Sequence, residues 1–318
     1  MSQGRFLRAF KGLGFVLAAP VLSALVGCAD DGLALDAKEE REENTAGSGN
    51  EMVLTAIDVG QGDAILVESG DVRVLIDGGP ARDTVADYLA AADIDAIDLV
   101  VATHAHTDHI GGIPAVLESV EVGTIWYNGQ PHDTQAFERF DDAIEASEAT
   151  YVEPYRGQSK HRGDLRVTSL HPAESASEYA GPLHDHNIVV RVDFMDYNAC
   201  SAVITGDIEQ SGEEEILESG ANVEADVLDL GHHGSHTSSS AEWLYAVSPD
   251  IAVVQYGEDN PYDHPHSEVV ERIEAAGVDL YGTGEHGTVT MSCDTTGTWS
   301  VSTEREGEVV PSVAVWVP

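Results

Sequence analysis

An α/β fold is predicted by three features of this 318-residue sequence. From Met52 onward, short runs of apolar and β-branched residues alternate with segments whose apolar residues recur at helical spacing. Turns rich in glycine separate the runs. Polar residues that can bind ligands follow several apolar runs at the point where they stop, as in α/β sheets that bind ligands beyond the carboxyl ends of their strands. The 42% hydrophobic content suffices for a buried core.

The first half of the pattern predicts three strands joined by tight turns, followed by alternating helices and strands. The strands are expected at 53–58, 64–68, 72–77, 99–102 and 122–127, and the helices at 84–92, 113–120 and 133–149. The second half continues in the same way. Its strands are expected at 165–170, 188–193, 201–205, 227–230, 251–255 and 288–292, and its helices at 212–219, 241–247 and 267–276.

The N-terminus has the pattern of an export signal. Arg5, Arg8 and Lys11 precede the apolar stretch 12–25, which is short for a bilayer span but suits a signal-peptide core. Residues 25–28 (Leu-Val-Gly-Cys) resemble a lipobox, in which Cys28 becomes the lipid-modified first residue of the mature protein. An uncleaved anchor helix is the alternative. Either reading predicts a protein exported and held at the outer face of the cell membrane.

Composition then divides the chain into four parts. Residues 1–28 are the predicted signal peptide, and 29–51, rich in Asp, Glu, Gly, Ser and Asn, predict an acidic flexible tether. Residues 52–305 form the predicted globular domain, and 306–318 a C-terminal tail. Two cysteines lie in the domain, Cys200 and Cys293, and the sequence leaves open whether they form a disulfide or remain buried thiols.

The charge is strongly acidic. The sequence contains 15 Lys and Arg residues and 57 Asp and Glu residues, which gives a formal net charge of −42. Acidic residues spread over the whole domain predict a halophilic surface, because concentrated salt screens their mutual repulsion. An acidic protein from an ordinary environment is the alternative. The lack of a Lys/Arg cluster argues against a dedicated DNA-binding protein, although molar salt weakens that objection. No Rossmann glycine fingerprint or P-loop is present, which argues against nucleotide-driven chemistry.

A metal site is predicted where the 99–102 strand ends. His104, His106, Asp108 and His109 occur there within six residues. Alternate residues of a strand point to one face, so His104 and His106 can share a pocket, and the following turn can bring Asp108 and His109 to it. A mixed set of imidazoles and carboxylates favours zinc, manganese or iron over calcium or magnesium. A solvated histidine-rich loop is the simpler alternative.

Four motifs appear in the order typical of one family: Asp58-Val-Gly-Gln-Gly-Asp63, Thr103 to Gly112, Thr205-Gly-Asp207 and Gly231-His-His-Gly-Ser235. In these motifs the chain resembles metallo-β-lactamase-fold hydrolases, and more narrowly the C-terminal hydrolase domain of the competence protein ComEC and its stand-alone relatives. The resemblance covers residues 52–302. It implies a four-layer αββα sandwich with a dinuclear metal site at one edge.

The resemblance also implies a ligand set. His104 and His106 correspond to ligands of the first metal, Asp108 and His109 to ligands of the second, and Asp207 to the carboxylate that bridges them. His232 or His233 corresponds to the last ligand of the second metal. For the third ligand of the first metal we expect His186, with Asn187 as the alternative and His184 as a loop histidine.

Three further residues are assigned from the same resemblance. Asp58 corresponds to a carboxylate that orients a ligand imidazole, with a strand-end turn residue as the alternative. Residues 260–266 (Asn-Pro-Tyr-Asp-His-Pro-His) resemble an Asn-x-Tyr-Gly-His-Pro segment of the subgroup. Within it, His264 or His266 is expected to bind substrate or protonate a leaving group, with a surface loop histidine as the alternative.

The function that the resemblance implies is metal-dependent hydrolysis. Two divalent ions, zinc or alternatively manganese, are expected to generate a metal-bridging hydroxide held by Asp108 and Asp207. The favoured substrate is a phosphodiester, including extracellular DNA. The alternatives are a small phosphoester, a carboxylic ester or a lactam, or a lipid-tethered binding protein that kept the fold without catalysis. The expected partners are this substrate and the membrane, reached through a lipid on Cys28, and no protein partner is predicted.

Overall fold

The computed structural model describes residues 40–41, 49–194 and 200–307. The predicted signal peptide, Cys28, most of the 29–51 tether and the tail from residue 308 lie outside these residues. Within them, no helix combines the length and the apolar character needed to cross a membrane.

The described residues form sixteen strands and eight α-helices. The strands are β1 Glu40–Arg41, β2 Glu51–Ala56, β3 Ile65–Ser69, β4 Val72–Ile76, β5 Ala96–Ala102, β6 Glu121–Tyr127, β7 Thr150–Val152, β8 Ser159–Arg162, β9 Leu165–His171, β10 Val189–Phe194, β11 Cys200–Ile204, β12 Val227–Asp229, β13 Ile251–Val254, β14 Asp279–Gly282, β15 Val289–Asp294 and β16 Trp299–Thr303. The helices are α1 Thr84–Ala91, α2 Thr107–Ile110, α3 Ile113–Ser119, α4 Gln135–Ala146, α5 Gln210–Glu218, α6 Ala241–Val247, α7 Ser267–Ala276 and α8 Thr283–His286.

Two mixed sheets of eight strands make up the centre of the fold. The N-terminal sheet has the order β16-β15-β2-β3-β4-β5-β6-β7, and the C-terminal sheet has the order β1-β8-β9-β10-β11-β12-β13-β14. Strands β4, β5 and β6 run parallel in the first sheet, as do β11 to β14 in the second. The carboxyl ends of each parallel set therefore lie along one edge of its sheet.

The core has three apolar layers, which confirms the predicted αββα sandwich. Alternation along β5 illustrates the arrangement: Leu99 and Val101 join the layer between the two sheets, whereas Val100 packs with the helices outside. The outer layer of the N-terminal sheet includes Phe140 of α4, and the outer layer of the C-terminal sheet includes Trp243 of α6. Both aromatic side chains are completely buried.

Most predicted elements occur within a few residues of their expected bounds. The predicted 133–149 helix begins later, at Gln135, because Thr134 caps it by accepting a hydrogen bond from the Phe137 amide, and it ends at Ala146. The prediction missed β7, β8, β14 and β16. Strand β8 reads Ser-Lys-His-Arg and has no apolar residue to reveal it. Within the predicted tether, β1 pairs in parallel with β8.

The two cysteines are joined, which resolves the alternative that the sequence left open. Cys200 on β11 and Cys293 on β15 form a disulfide, and both residues are buried. Because β11 and β15 belong to different sheets, the bond links the two halves of the sandwich covalently.

Candidate metal centre

The first ligand group consists of His104, His106, His184 and Asp207, whose ligand atoms all lie within 4.8 Å of one another. Nε2 of His104 lies 3.6 Å and Nε2 of His184 lies 3.5 Å from Oδ2 of Asp207. Nδ1 of His106 is 2.8 Å from Nε2 of His104 and 3.2 Å from Nε2 of His184. Three imidazoles and one carboxylate oxygen therefore converge on one point.

The second ligand group consists of Asp108, His109 and His233. The short helix α2 carries Asp108 and His109 directly after His106. Nε2 of His233 lies 3.3 Å from Oδ2 of Asp108. Oδ1 of Asp207 lies 3.2 Å from Nε2 of His109 and 3.7 Å from Nε2 of His233. Asp207 thus presents one oxygen to each group, which is the arrangement of a bridging carboxylate.

The third position of the first group is a correction to the sequence prediction. His184 lies in the group, whereas His186 contributes no ligand atom and its ring contacts that of Tyr179, with the ring centroids 4.2 Å apart. Both histidines belong to a 3-10 turn, Leu183–His186. With three residues per turn, positions two apart point in different directions, unlike in a strand. This local conformation could not be read from the histidine spacing.

Asn187 supports the centre without belonging to either ligand group. Its Nδ2 donates to the Thr205 carbonyl (2.7 Å), and its Oδ1 accepts from the Asp207 amide (3.1 Å). Gly206 lies between them at φ +51°, and an added Cβ there would meet the Asn187 Oδ1 at 2.6 Å. Asn187 therefore fixes the turn that aims Asp207 at the two groups.

Buried carboxylates orient the second group. Nδ1 of His109 bonds Oδ2 of Asp77 (2.8 Å), and Asp77 is itself held by the Thr103 amide and hydroxyl (2.8 and 2.7 Å). Nδ1 of His233 lies 3.0 Å from the Gln255 carbonyl and 3.1 Å from Oδ1 of Asp63. Partners of this kind fix the tautomer and the direction of a ligand imidazole.

The orienting role predicted for Asp58 is corrected by these contacts. Oδ1 of Asp58 accepts from the Gly60 amide (3.1 Å), and its Oδ2 pairs with Arg305 (3.1 Å). Asp58 is thus the strand-end turn residue of the alternative reading. The prediction missed Asp63, at the other end of the same motif, which is buried beside His233.

The His232-His233 doublet has an unusual backbone. Both residues have a left-handed backbone conformation, with φ of 53° and 55°. This conformation costs about 1–2 kcal/mol for a residue with a Cβ. His233 joins the second group. Nδ1 of His232 instead lies 3.2 Å from the Thr237 hydroxyl and 3.8 Å from Oε1 of Glu209, and its Nε2 lies 3.8 Å from Oδ2 of Asp207. The strained turn therefore gives the two histidines separate positions.

The histidines predicted at 264 and 266 lie at different distances from the centre. The ring of His264 is 5.8 Å from that of His232 and 6.0 Å from that of His233, so it lines the centre. The ring of His266 is 4.6 Å from that of His236, and its Nδ1 accepts from the His236 amide (3.1 Å). The contacts of His266 with His236 are therefore structural, whereas His264 is available to the centre.

Ionisation in the metal-free protein follows from burial and from the central carboxylate. Burial and the neighbouring His184 lower the pKa of His106 to about 4. Burial alone would lower the pKa of His109, but Asp207 and Asp77 together raise it well above its ordinary value. Burial alone would raise the pKa of Asp207, but His109 and His233 together hold it well below the ordinary range.

The chemistry of the donors fits divalent metal ions. Nε2 of His109, Nε2 of His233 and Oδ1 of Asp207 are buried without a hydrogen-bond partner among the described residues. Buried polar atoms are rarely left without partners, and these three face one another. Neutral imidazoles with carboxylates suit zinc and neighbouring transition metals.

Comparison with known proteins agrees with this geometry. Residues 57–258 match the family model described as the metallo-beta-lactamase superfamily. The chain belongs to this superfamily. ComE operon protein 3 of Bacillus subtilis is 30% identical over 257 residues, which cover 73% of this chain and 32% of that protein. Competence protein ComA of Neisseria gonorrhoeae is 33% identical over 240 residues, which cover 74% of this chain and 31% of that protein.

The chain thus spans about a third of the length of these curated relatives. Among solved structures, the metallo-beta-lactamase fold protein YhfI from Bacillus subtilis aligns with a TM-score of 0.48 and 13% identity, covering 79% of this chain and 100% of that one. A diphosphatase of the PhnP family aligns with a TM-score of 0.47 and 16% identity, covering 76% and 98%.

Proposed function

We propose that this protein is an exported metallo-hydrolase that cleaves phosphodiester bonds. The observation that carries the proposal is the position of Asp207, whose two oxygens face two separate ligand groups. Residues His104, His106 and His184 would hold one ion, and Asp108, His109 and His233 the other. Metal ions bound in this way supply activated water at neutral pH and neutralise charge that develops on a substrate oxygen.

The protein's own groups would orient the ligand imidazoles and contact the substrate. Asp77 and Asp63 keep the His109 and His233 rings aimed at the centre. Burial and the neighbouring His233 lower the pKa of His264 to about 4, so at neutral pH it is an uncharged imidazole. It is therefore suited to hydrogen bonding with a bound substrate rather than to protonating a leaving group.

The relatives support a phosphodiester as substrate class. Two that match are named a competence protein and a recombination protein, and both names point to nucleic acid. The arginines on strands β8 to β10 do not form a free phosphate-binding surface, because Arg162 pairs with Asp98, and Arg166 and Arg191 share Asp193. Attraction of a phosphate would therefore depend on the metal centre. This would hold especially in concentrated salt, which screens other charges and which we expect for a protein with a net charge of −42.

Export is supported by the disulfide, because such bonds persist mainly in oxidising compartments. We extend the proposal to a lipid on Cys28 that anchors the protein to the outer face of the membrane. The intact mass of the protein extracted from membranes tests this extension. A mass that corresponds to an unmodified chain starting at Met1 would contradict it.

Metal content and hydrolysis of bis(p-nitrophenyl) phosphate, both measured on the full chain in high salt, test the function. We expect two transition-metal ions per chain and at least about a 100-fold loss of kcat/KM in Asp207→Asn. Asp83→Asn is the matched control, because Asp83 is exposed and its side chain caps nothing. Equal activity of the two variants would overturn the mechanism.

The same preparation separates the remaining alternatives. Fewer than one bound metal ion per chain, without hydrolysis, would favour a tethered binding protein. A further outcome is that the protein binds two ions and hydrolyses a carboxylic ester or lactam, but neither a phosphodiester nor linear DNA. That outcome would contradict the proposed substrate class and agree with the proposed metal centre.

A further inference from the structure

A cavity of about 450 Å³ opens beside the first ligand group. Its walls come from residues 130–133, which follow β6, and from residues 179–184, which lead into the 3-10 turn. His106 and His184 line it on the side of the metal centre. The volume falls in the range of small-molecule sites, roughly 300–1,000 Å³.

Buried amide side chains hold the two walls together. Nδ2 of Asn128 donates to the His186 carbonyl (2.8 Å), and Nε2 of Gln130 donates to the Gly181 carbonyl (2.8 Å). Oδ1 of Asn128 accepts from the Gln130 amide (2.9 Å). Both side chains are almost completely buried, at 0% and 1% exposure. The cavity is therefore formed before any ligand arrives, which lowers the entropic cost of binding.

Gln130 also offers an unused acceptor. The Gly181 carbonyl can only accept, so it must face the amide nitrogen of Gln130, and Oε1 is left on the other side. Oε1 is buried and has no hydrogen-bond partner among the described residues. A buried acceptor without a partner is unfavourable, because it has lost its hydrogen bonds to water without replacing them. A ligand group that donates an N–H would satisfy it.

The walls disfavour an anion. The lining includes Asp133 but no lysine or arginine, and Pro131, Pro182 and Tyr179 contribute apolar or aromatic surface. The ring of His132, which also lines the cavity, lies 6.2 Å from that of His106. Flat rings stack on such surfaces, and stacking persists in salt that screens charge. The phosphate of a substrate would therefore lie at the ligand groups, and an uncharged ring of the same substrate would lie in the cavity.

We propose that this cavity binds the nucleobase of a nucleotide whose phosphodiester is cleaved at the adjacent centre. A nucleobase is flat, uncharged and carries N–H donors for Oε1 of Gln130. Stacking of one base raises affinity by about 5- to 150-fold. This inference rests on the proposed function, to which it adds a binding site for the base.

Two phosphodiesters that share a leaving group test the proposal. The full chain should hydrolyse thymidine 5′-(p-nitrophenyl phosphate) with a kcat/KM at least about 10-fold above that of methyl p-nitrophenyl phosphate, mainly through a lower KM. Ala180→Trp fills the cavity from an exposed position and should reduce this ratio to about one. Ala275→Trp, exposed on α7 away from the cavity, is the matched control and should keep the ratio.

Binding separates a failure of this proposal from a failure of the proposed function. If neither ester is hydrolysed, the function fails, and calorimetry with thymidine 5′-monophosphate still tests the cavity. We then expect affinity at least about 10-fold higher for Ala275→Trp than for Ala180→Trp. His132→Ala, at a half-buried wall position, provides a second variant if Ala180→Trp lowers Tm. Equal kcat/KM for the two esters in the wild type, or equal binding by the tryptophan variants, would overturn the proposal.

Discussion

Replacing His184 by alanine tests the first ligand group, because His184 and His186 are two residues apart and only His184 reaches Asp207. Loss of a partner that merely orients a ligand costs about 10–100-fold in metal affinity, so we expect loss of the ligand itself to cost at least about 100-fold. His186→Ala should retain the wild-type affinity, since the His186 ring contacts Tyr179 instead.

The affinity loss converts into a measurable change in Tm. With free zinc at about 1,000 times the wild-type Kd, binding stabilises the fold by about 4.1 kcal/mol, and a 100-fold weaker site retains about 1.4 kcal/mol. For a domain of this size, 1 kcal/mol shifts Tm by about 2–4 °C. His184→Ala should therefore lose about 5–11 °C of the zinc-induced rise in Tm, measured by scanning calorimetry with and without zinc. An equal or larger loss in His186→Ala would refute the assignment.

Two further predictions concern the disulfide and the pH. Replacing Cys200 and Cys293 together by alanine should lower the free energy of unfolding in urea by about 4–5 kcal/mol, because the bond closes a loop with a sequence separation of 93; a loss below about 1 kcal/mol would contradict this. Zinc affinity should rise with pH above about 6.5, because the metal must displace protons from His109 and His233: Asp207 and the neighbouring carboxylates together outweigh burial and raise the pKa of both imidazoles. Because the pKa of both imidazoles is higher in the folded than in the unfolded protein, their protonation stabilises the fold below the unfolded-state pKa. This stabilisation is lost as the pH rises through the folded-state pKa, so the metal-free protein should lose stability above about pH 6.5. Calorimetry in buffers of different ionisation enthalpy counts the protons released, and no release would contradict the assignment.

The sequence predicted the layers of the fold because periodicity records burial. Strands such as β3 and β5 carry apolar residues on both faces, and α6 and α7 have clear apolar stripes. The missed strands lie at or near sheet edges, where fewer side chains are buried. Strand β16 alternates half-buried and exposed residues and gives only a weak signal. Edge pairing depends on backbone hydrogen bonds, which side-chain composition does not reveal.

The centre was predictable where its residues are close in sequence. His104, His106, Asp108 and His109 follow one strand, so their proximity was assured by local geometry. His184 was not predictable, because its direction depends on a 3-10 turn that the histidine spacing does not specify. Asp63 was also missed, because only the packing of both sheets brings it within 3.1 Å of His233.

The left-handed backbone at His232 and His233 has a consequence for how this sequence can change. Glycine at either position would relieve the steric strain, so selection for stability alone would favour replacing the histidines. Each such replacement would leave a carboxylate of the centre without its imidazole partner, Asp207 and Asp108 in the case of His233. The two histidines therefore lower the stability of the fold but serve its activity. A descendant protein that no longer needs the activity should lose both histidines early.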